Sequence, residues 1–160
     1  MKEKLQEFAL IAEIISGVAI VITLVILVFE VRDNTDALEI SNRQSIALRG
    51  QELAVVLIEN PIIGQAQGKL RQGEVLTISE AAAFGPYINA NLRLTEEAYK
   101  LYQNNQLAAE DWETRKNVML NLLSSNTARS IFAGSTALGY WDEDFKNYLS
   151  QALNETSGDQ

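Results

Sequence analysis

The sequence predicts an all-α protein: an N-terminal membrane-spanning helix continuing into a compact bundle of four to six unequal helices, with essentially no sheet. Three observations lead there. The apolar residues pile into one N-terminal block, the segments beyond it repeat their apolar positions at helical intervals, and no segment sustains the period-two alternation of a strand.

The block runs from Phe8 to Val31, FALIAEIISGVAIVITLVILVFEV, and its stretch from Ile14 to Phe29 carries no charge. Alone that stretch would rise ~24 Å as a helix, and with Phe8 to Ala12 included ~33 Å. The second figure matches a hydrocarbon core of about 30 Å. Lys2 and Lys4 flank one end, and Glu30, Arg32 and Asp33 close the other. A cleaved signal peptide would need a small-x-small site, which Phe29-Glu30-Val31-Arg32 does not offer. A buried helix of a water-soluble protein rarely presents Ile, Val and Leu on every face. The expected organisation is therefore a short flank over 1–7, a retained signal anchor over 8–31, a helical domain over 32–153 and a frayed tail over 154–160.

Ala12, Ser16, Ala19 and Thr23 fall on one stripe of this span and form a candidate surface for helix pairing in lipid, where small side chains let backbones approach. Glu13 is the acid inside the block, and its nearness to the end lets it reach the interface rather than handle ions in the bilayer. Lys2, Lys4 and the amino terminus nearly balance Arg32, Arg43 and Arg49 across the span. The orientation expected from so even a count is an N-terminus inside. The expected location is a cell membrane crossed once, the inner membrane if the source is bacterial.

The lack of a Gly/Pro break between Val31 and Arg49 predicts that the spanning helix runs straight on, with Gly50 a weak point, until Asn60-Pro61 stops it. Pro61 to Arg71 reads as a short helix with proline in its first turn, ending near Gly73. Thr77-Ile78-Ser79-Glu80 has capping-box spacing and opens a long helix through Leu101 and Tyr102, with Gly85-Pro86 set to kink it or delay its start. Asn104-Asn105 forms a turn. A further helix over Ala109 to Leu123 buries Trp112, Met119, Leu122 and Leu123. Ser125 or Asn126 caps a short helix through Ile131 and Phe132, Gly134 to Gly139 is a connection, and Asp142 caps the last helix with Phe145, Tyr148 and Leu149. No heptad array is long enough for a coiled coil, and no repeat or low-complexity tract is present.

The order of these features resembles a family of uncharacterised bacterial single-span membrane proteins with a C-terminal helical domain. The residues that carry the likeness are Asn60-Pro61, the helix with Tyr99 and Tyr102, Leu107 with Asp111-Trp112, and the final Phe145-x-x-Tyr148. Asn126-Thr127 and Ile131-Phe132 stand where such proteins often have a Pro-Gly and a Trp pair. The resemblance implies the architecture and no established activity.

Composition excludes more than it assigns. The formal net charge is -8, from 13 basic and 21 acidic residues. From Asp33 onward ten basic face seventeen acidic residues, a sign that repels phosphate backbones, so no nucleic-acid partner is expected. With no cysteine and no histidine, disulfides, thiolate metal sites, thiol nucleophiles and imidazole bases are ruled out. Glu96-Glu97 and Glu110-Asp111-Glu113 are the densest acidic groups, but neighbours on a helix diverge by about 100°, so they read as solvated faces and helix-dipole partners. Asp142-Glu143-Asp144 lacks the spacing of a calcium loop. Asn154-Glu155-Thr156 matches a glycosylation sequon, which matters only in a eukaryotic secretory setting. No catalytic, cofactor-binding or metal-ligating residue is nominated. Tyr87, Tyr99, Tyr102 and Trp112 are the candidates to line a ligand cleft. The expected function is a non-enzymatic, single-pass interaction or accessory module, partnered by the membrane and by itself or another membrane protein. The alternative is a membrane-tethered sensor that binds a small ligand among those aromatic residues.

Overall fold

The computed structural model describes the backbone of residues 2–158 and the side chains of residues 12–155. Among these residues there are six helices and no strand: α1 (Lys2–Glu59), α2 (Pro61–Arg71), α3 (Ile78–Gln103), α4 (Ala109–Leu122), α5 (Asn126–Ala137) and α6 (Glu143–Gly158). Two compact units divide the chain, Met1–Ile40 and Ser41–Gln160.

The first unit is helical. Within it Ile14, Val18, Val21, Leu24, Val28 and Phe29 are all more than half exposed. The helix is long and apolar enough to cross a membrane, with a mean hydropathy of 2.8 over its best 18-residue window and none of that window buried. The expected pairing stripe lies here. Ser16 Oγ donates to the Ala12 carbonyl at 2.8 Å and Thr23 Oγ1 to the Ala19 carbonyl at 2.9 Å. Both hydroxyl protons are thus satisfied inside the helix, as hydrocarbon requires of a polar group. Lys2, Lys4 and Phe8 have side chains outside the described residues.

The second unit is built from the helix signals in its sequence. Asn60, in extended conformation before Pro61, ends α1 and starts α2. At the other end of α2, Gly73 takes φ 74°, and the Glu74 N–H reaches back to the Lys69 carbonyl at 2.9 Å. Only a residue free of a Cβ adopts that left-handed turn cheaply. Thr77 and Glu80 form the capping box of α3: Glu80 N donates to Thr77 Oγ1 at 3.3 Å, and Thr77 N to Glu80 Oε2 at 2.7 Å. Pro86 neither delays α3 nor ends it. Pro86 and Ala82, whose carbonyl Pro86 leaves without its helical donor, are both exposed residues.

Ser125 caps α5, its Oγ accepting from Ala128 N at 3.2 Å. Arg129 Nε donates to the Leu123 carbonyl at 3.0 Å, which satisfies an acceptor left open at the end of α4. α5 continues through Gly134 to Ala137, where the sequence suggested a connection. Asp142 Oδ1 accepts from Asp144 N at 3.0 Å and starts α6. That helix runs to Gly158, and Asp159 and Gln160 lie outside the described residues.

Two apolar clusters make the core of this unit. The larger is centred on Phe84, Ile88, Leu92, Met119, Leu123, Phe132, Phe145 and Leu149. The smaller joins Ile46 on α1 to Leu94, Ala98, Leu107 and Trp112. Leu53 packs against both. Leu122, expected in the core, is only partly buried against the larger cluster.

Candidate functional site

Three of the four aromatic residues singled out from the sequence meet. Tyr99 and Tyr102 stand a turn apart on α3, and α4 presents Trp112 between them. Ring centroids lie 5.5 Å apart for Tyr99–Trp112 and 5.9 Å for Tyr102–Trp112, the latter pair stacked at 14°. α6 closes the group with Tyr148, 5.0 Å from Tyr99 and 5.5 Å from Trp112, and with Phe145, 5.8 Å from Tyr99. Burial pushes the Tyr99 hydroxyl up from its usual range, with smaller help from Asp144, Tyr148 and Asp142. Tyr87 lies elsewhere, with Phe84 at 6.1 Å.

These rings fill one another's space. None of Tyr87, Tyr99, Tyr102 and Trp112 lines a concavity described on this unit. One groove of about 390 Å³ runs beside Leu53, Val56, Ala90 and Leu94, with Arg49 and Glu97 on its rim. Another, of about 330 Å³, is lined by Lys116, Leu120, Tyr148 and Gln151 among others. Tyr148 and Phe145 belong to the cluster that the sequence assigned only to Tyr87, Tyr99, Tyr102 and Trp112. Their signal was present in the Phe-x-x-Tyr spacing, which sets both rings on one face of the last helix.

The acidic pairs separate into different roles. Glu96 is buried, against the expectation of a solvated face, and Glu97 is half-exposed and paired with Arg49. Glu96 Oε1 accepts from the backbone N–H of Asp142 at 2.9 Å and from Lys100 Nζ at 3.2 Å. Its Oε2 accepts from Arg93 Nη1 at 3.5 Å. The Arg93 guanidinium also lies over Trp141, 4.7 Å from its ring centre, and Trp141 Nε1 donates to Ser135 Oγ at 2.7 Å. Glu96 therefore holds the start of α6 against α3, which is structural work for a carboxylate. Asp111 pairs with Arg43 at 3.2 Å, and Glu113 with Lys116 at 2.5 Å. Among the described residues no group of three or more acids converges on a point where a metal ion would sit.

A second polar feature of the interior escaped sequence reading. Arg115 of α4 is 8% exposed, and α3 meets it with neutral acceptors. Its Nε donates to Thr95 Oγ1 at 3.0 Å, and its Nη2 to the Asn91 carbonyl at 2.7 Å and Asn91 Oδ1 at 3.0 Å. Desolvation lowers its pKa to about 10, with Tyr87 opposing. Asn91 Nδ2 and Thr95 Oγ1 in turn donate to carbonyls one turn back, at 3.0 and 2.8 Å. The arrangement ties α3 to α4 through hydrogen bonds and leaves the charge partly uncompensated. Its members bond to one another across the two helices, so it reads as an interhelical clasp. No family model, curated protein or solved structure matches this chain.

Proposed function

We propose that the chain is a non-enzymatic, single-pass membrane protein that presents its helical domain at the membrane surface as an interaction module. The observation that carries this reading is the first unit's surface. Ile, Val, Leu and Phe side chains are exposed on every side of the helix, with no charged residue from Ile14 to Phe29. Water solvates such a cylinder at a cost of ~25 cal/mol per Å² of apolar surface, and lipid removes that cost. A lone Glu13 near the end of the block is compatible with the interface.

The domain's interior supports a binding rather than a catalytic role. Four of its buried polar side chains, Glu96, Arg115, Asn91 and Thr95, are engaged in holding helices together. The aromatic cluster is packed ring to ring, which favours a solid module over a ligand sensor built on Tyr99 and Trp112. Anchoring confines the domain to two dimensions, so weak contacts become occupied. The resemblance to uncharacterised bacterial single-span proteins points to the same architecture.

The test is fractionation of the whole chain after expression, with the membrane pellet washed in alkaline carbonate. Retention in the pellet and release by mild detergent are expected. Recovery in the wash, or in the aqueous supernatant after lysis, would remove the anchor and the role drawn from it.

A further inference from the structure

Residues 41–59 of α1 lie on the bundle without belonging to its main core. The buried members of the larger cluster all stand between Ile63 and Leu153, and α1 adds only the partly buried Leu53 and Leu57. Among the described residues of α1, Ile46 alone is buried. Polar contacts hold the segment beside it: Asn42 Nδ2 donates to the Gln106 carbonyl at 3.1 Å, Arg43 pairs with Asp111 at 3.2 Å, and Arg49 pairs with Glu97. The two arginine side chains are 59% and 52% exposed, so water and salt compete for both pairs. Further along, the seat is incomplete. The groove of about 390 Å³ opens between Leu53 and Val56 of α1 and Ala90 and Leu94 of α3.

What the segment covers is an apolar floor with acidic edges. Leu94, Ala98, Leu107 and Trp112 cluster with Ile46, while Glu97 and Asp111 take the two arginines. We infer that residues 41–59 are a reversible cover on the domain's own binding surface, which takes a partner helix of the same chemistry, an aliphatic residue flanked by two cations. The inference rests on the proposed role as an interaction module and names the surface which that role uses. Lifting the segment leaves the buried members of the larger cluster in place, because none of them belongs to α1. A pivot is present as well. Asn60 sits between α1 and α2 with an extended backbone, φ -113° and ψ 91°, and residues at the ends of elements absorb hinge motion.

Charge selects the partner. From Asp33 onward seventeen acids face ten bases, so an acidic helix is repelled and a basic one is drawn in. The seated segment shows how such a helix is read: Ile46 enters the floor, and Arg43 and Arg49, three positions to either side, meet the two carboxylates. While the segment is seated, an outside helix finds only the open fraction of the molecules, and its apparent affinity falls by that fraction. Freeing α1 removes the competition.

Two measurements on the full chain in mild detergent test this, and the absence of native cysteine makes the first direct. Ile46→Cys should react with a maleimide several-fold faster than Met119→Cys, which lies at 0% exposure in the larger cluster. Adding Arg43→Glu with Arg49→Glu should bring Ile46→Cys several-fold closer to the rate of Ala47→Cys, an exposed neighbour, and leave Met119→Cys protected. Both arginines are exposed, and unchanged tryptophan emission checks that the reversals leave the bundle folded. If Ile46→Cys stays as protected as Met119→Cys with and without the reversals, the segment leaves only on global unfolding, and the cover is overturned. In the second measurement a fluorescent synthetic peptide of residues 41–59 is titrated into the parent and into the chain carrying the two reversals. Binding several-fold tighter to the reversed chain is expected, and a peptide with Arg43→Glu and Arg49→Glu should lose it. Equal binding to both chains, binding to neither, or equal binding of both peptides overturns the surface. Neither readout depends on membrane retention, so loss of the chain from carbonate-washed membranes counts against the anchored role alone.

Discussion

Replacing Glu96 separates the two jobs its carboxylate performs. Its Oε1 accepts from the Asp142 N–H at 2.9 Å, while its ion pairs reach Arg93 and Lys100, which are 60% and 53% exposed. Ion pairs with partners that exposed contribute at most ~1 kcal/mol each. A hydrogen bond from a backbone donor to a buried charged acceptor contributes about 1.5–3 kcal/mol, and leaving a buried donor unmet costs about 1–3 kcal/mol. Glu96→Gln keeps an acceptor near Asp142 and should cost about 1 kcal/mol. Glu96→Ala removes the acceptor and should cost about 3 kcal/mol, a difference of roughly 8 °C in Tm at ~4 °C per kcal/mol. Both tryptophans report on this domain, Trp112 at 2% and Trp141 at 5% exposure, so thermal unfolding followed by tryptophan emission in detergent reads the effect. Trp141 should also shift its emission, since Arg93 stacks on it. If Glu96→Gln is as damaging as Glu96→Ala, the charge and not the hydrogen bond holds α6 in place. If neither variant matters, Glu96 does not anchor that helix.

Further expectations concern caps, core and span. Contact with Lys69, then with Thr77, holds Glu80 down from 4.5 to about 2. Because its folded pKa is the lower one, its contribution is full above pH ~4.5 and fades as pH falls toward 2. Acid titration of Glu80→Gln should therefore lack that part of the stability loss, and a profile identical to the parent's would refute the pairing. Ser125→Ala removes the acceptor for Ala128 N and should lower stability by ~1 kcal/mol, measured by urea unfolding. Trp112→Ala should cost about 3–5 kcal/mol by the same assay, because it empties the centre of the aromatic cluster. Leu24→Arg places a charge inside the span at a cost of about 2.5–3.5 kcal/mol and should lower the share of the chain retained in carbonate-washed membranes.

What could be read from the sequence was local chemistry. Asn60-Pro61 marked the end of α1, Pro61 and Gly73 bracketed α2, and Thr77 with Glu80 opened α3, because each signal acts on its own neighbouring backbone. Gly134 misled for the opposite reason, and so did Pro86 as a residue that would delay the start of α3. Both discourage helices locally, but Pro86 and Ala82, one turn before it, are both exposed, and α5 is held by the Ser125 cap and buried Phe132. Glu96 could not be assigned from its neighbours, since its decisive partner is Asp142, forty-six positions away. Arg115 was hidden in the same way, as its acceptors sit on another helix. Of the aromatic group, Tyr99, Tyr102 and Trp112 were legible as apolar positions of two helices. That they meet each other and Tyr148, without Tyr87, depends on packing.

Lipid contact of the first helix is tested most directly by thiol accessibility in native membranes, since the chain has no cysteine of its own. Val21→Cys lies mid-span and Gln51→Cys on the exposed face of the second unit. With membranes opened so that both sides are reachable, a charged maleimide should label Gln51→Cys readily and leave Val21→Cys unmodified. Equal labelling at the two positions would show that water, not hydrocarbon, surrounds the apolar helix.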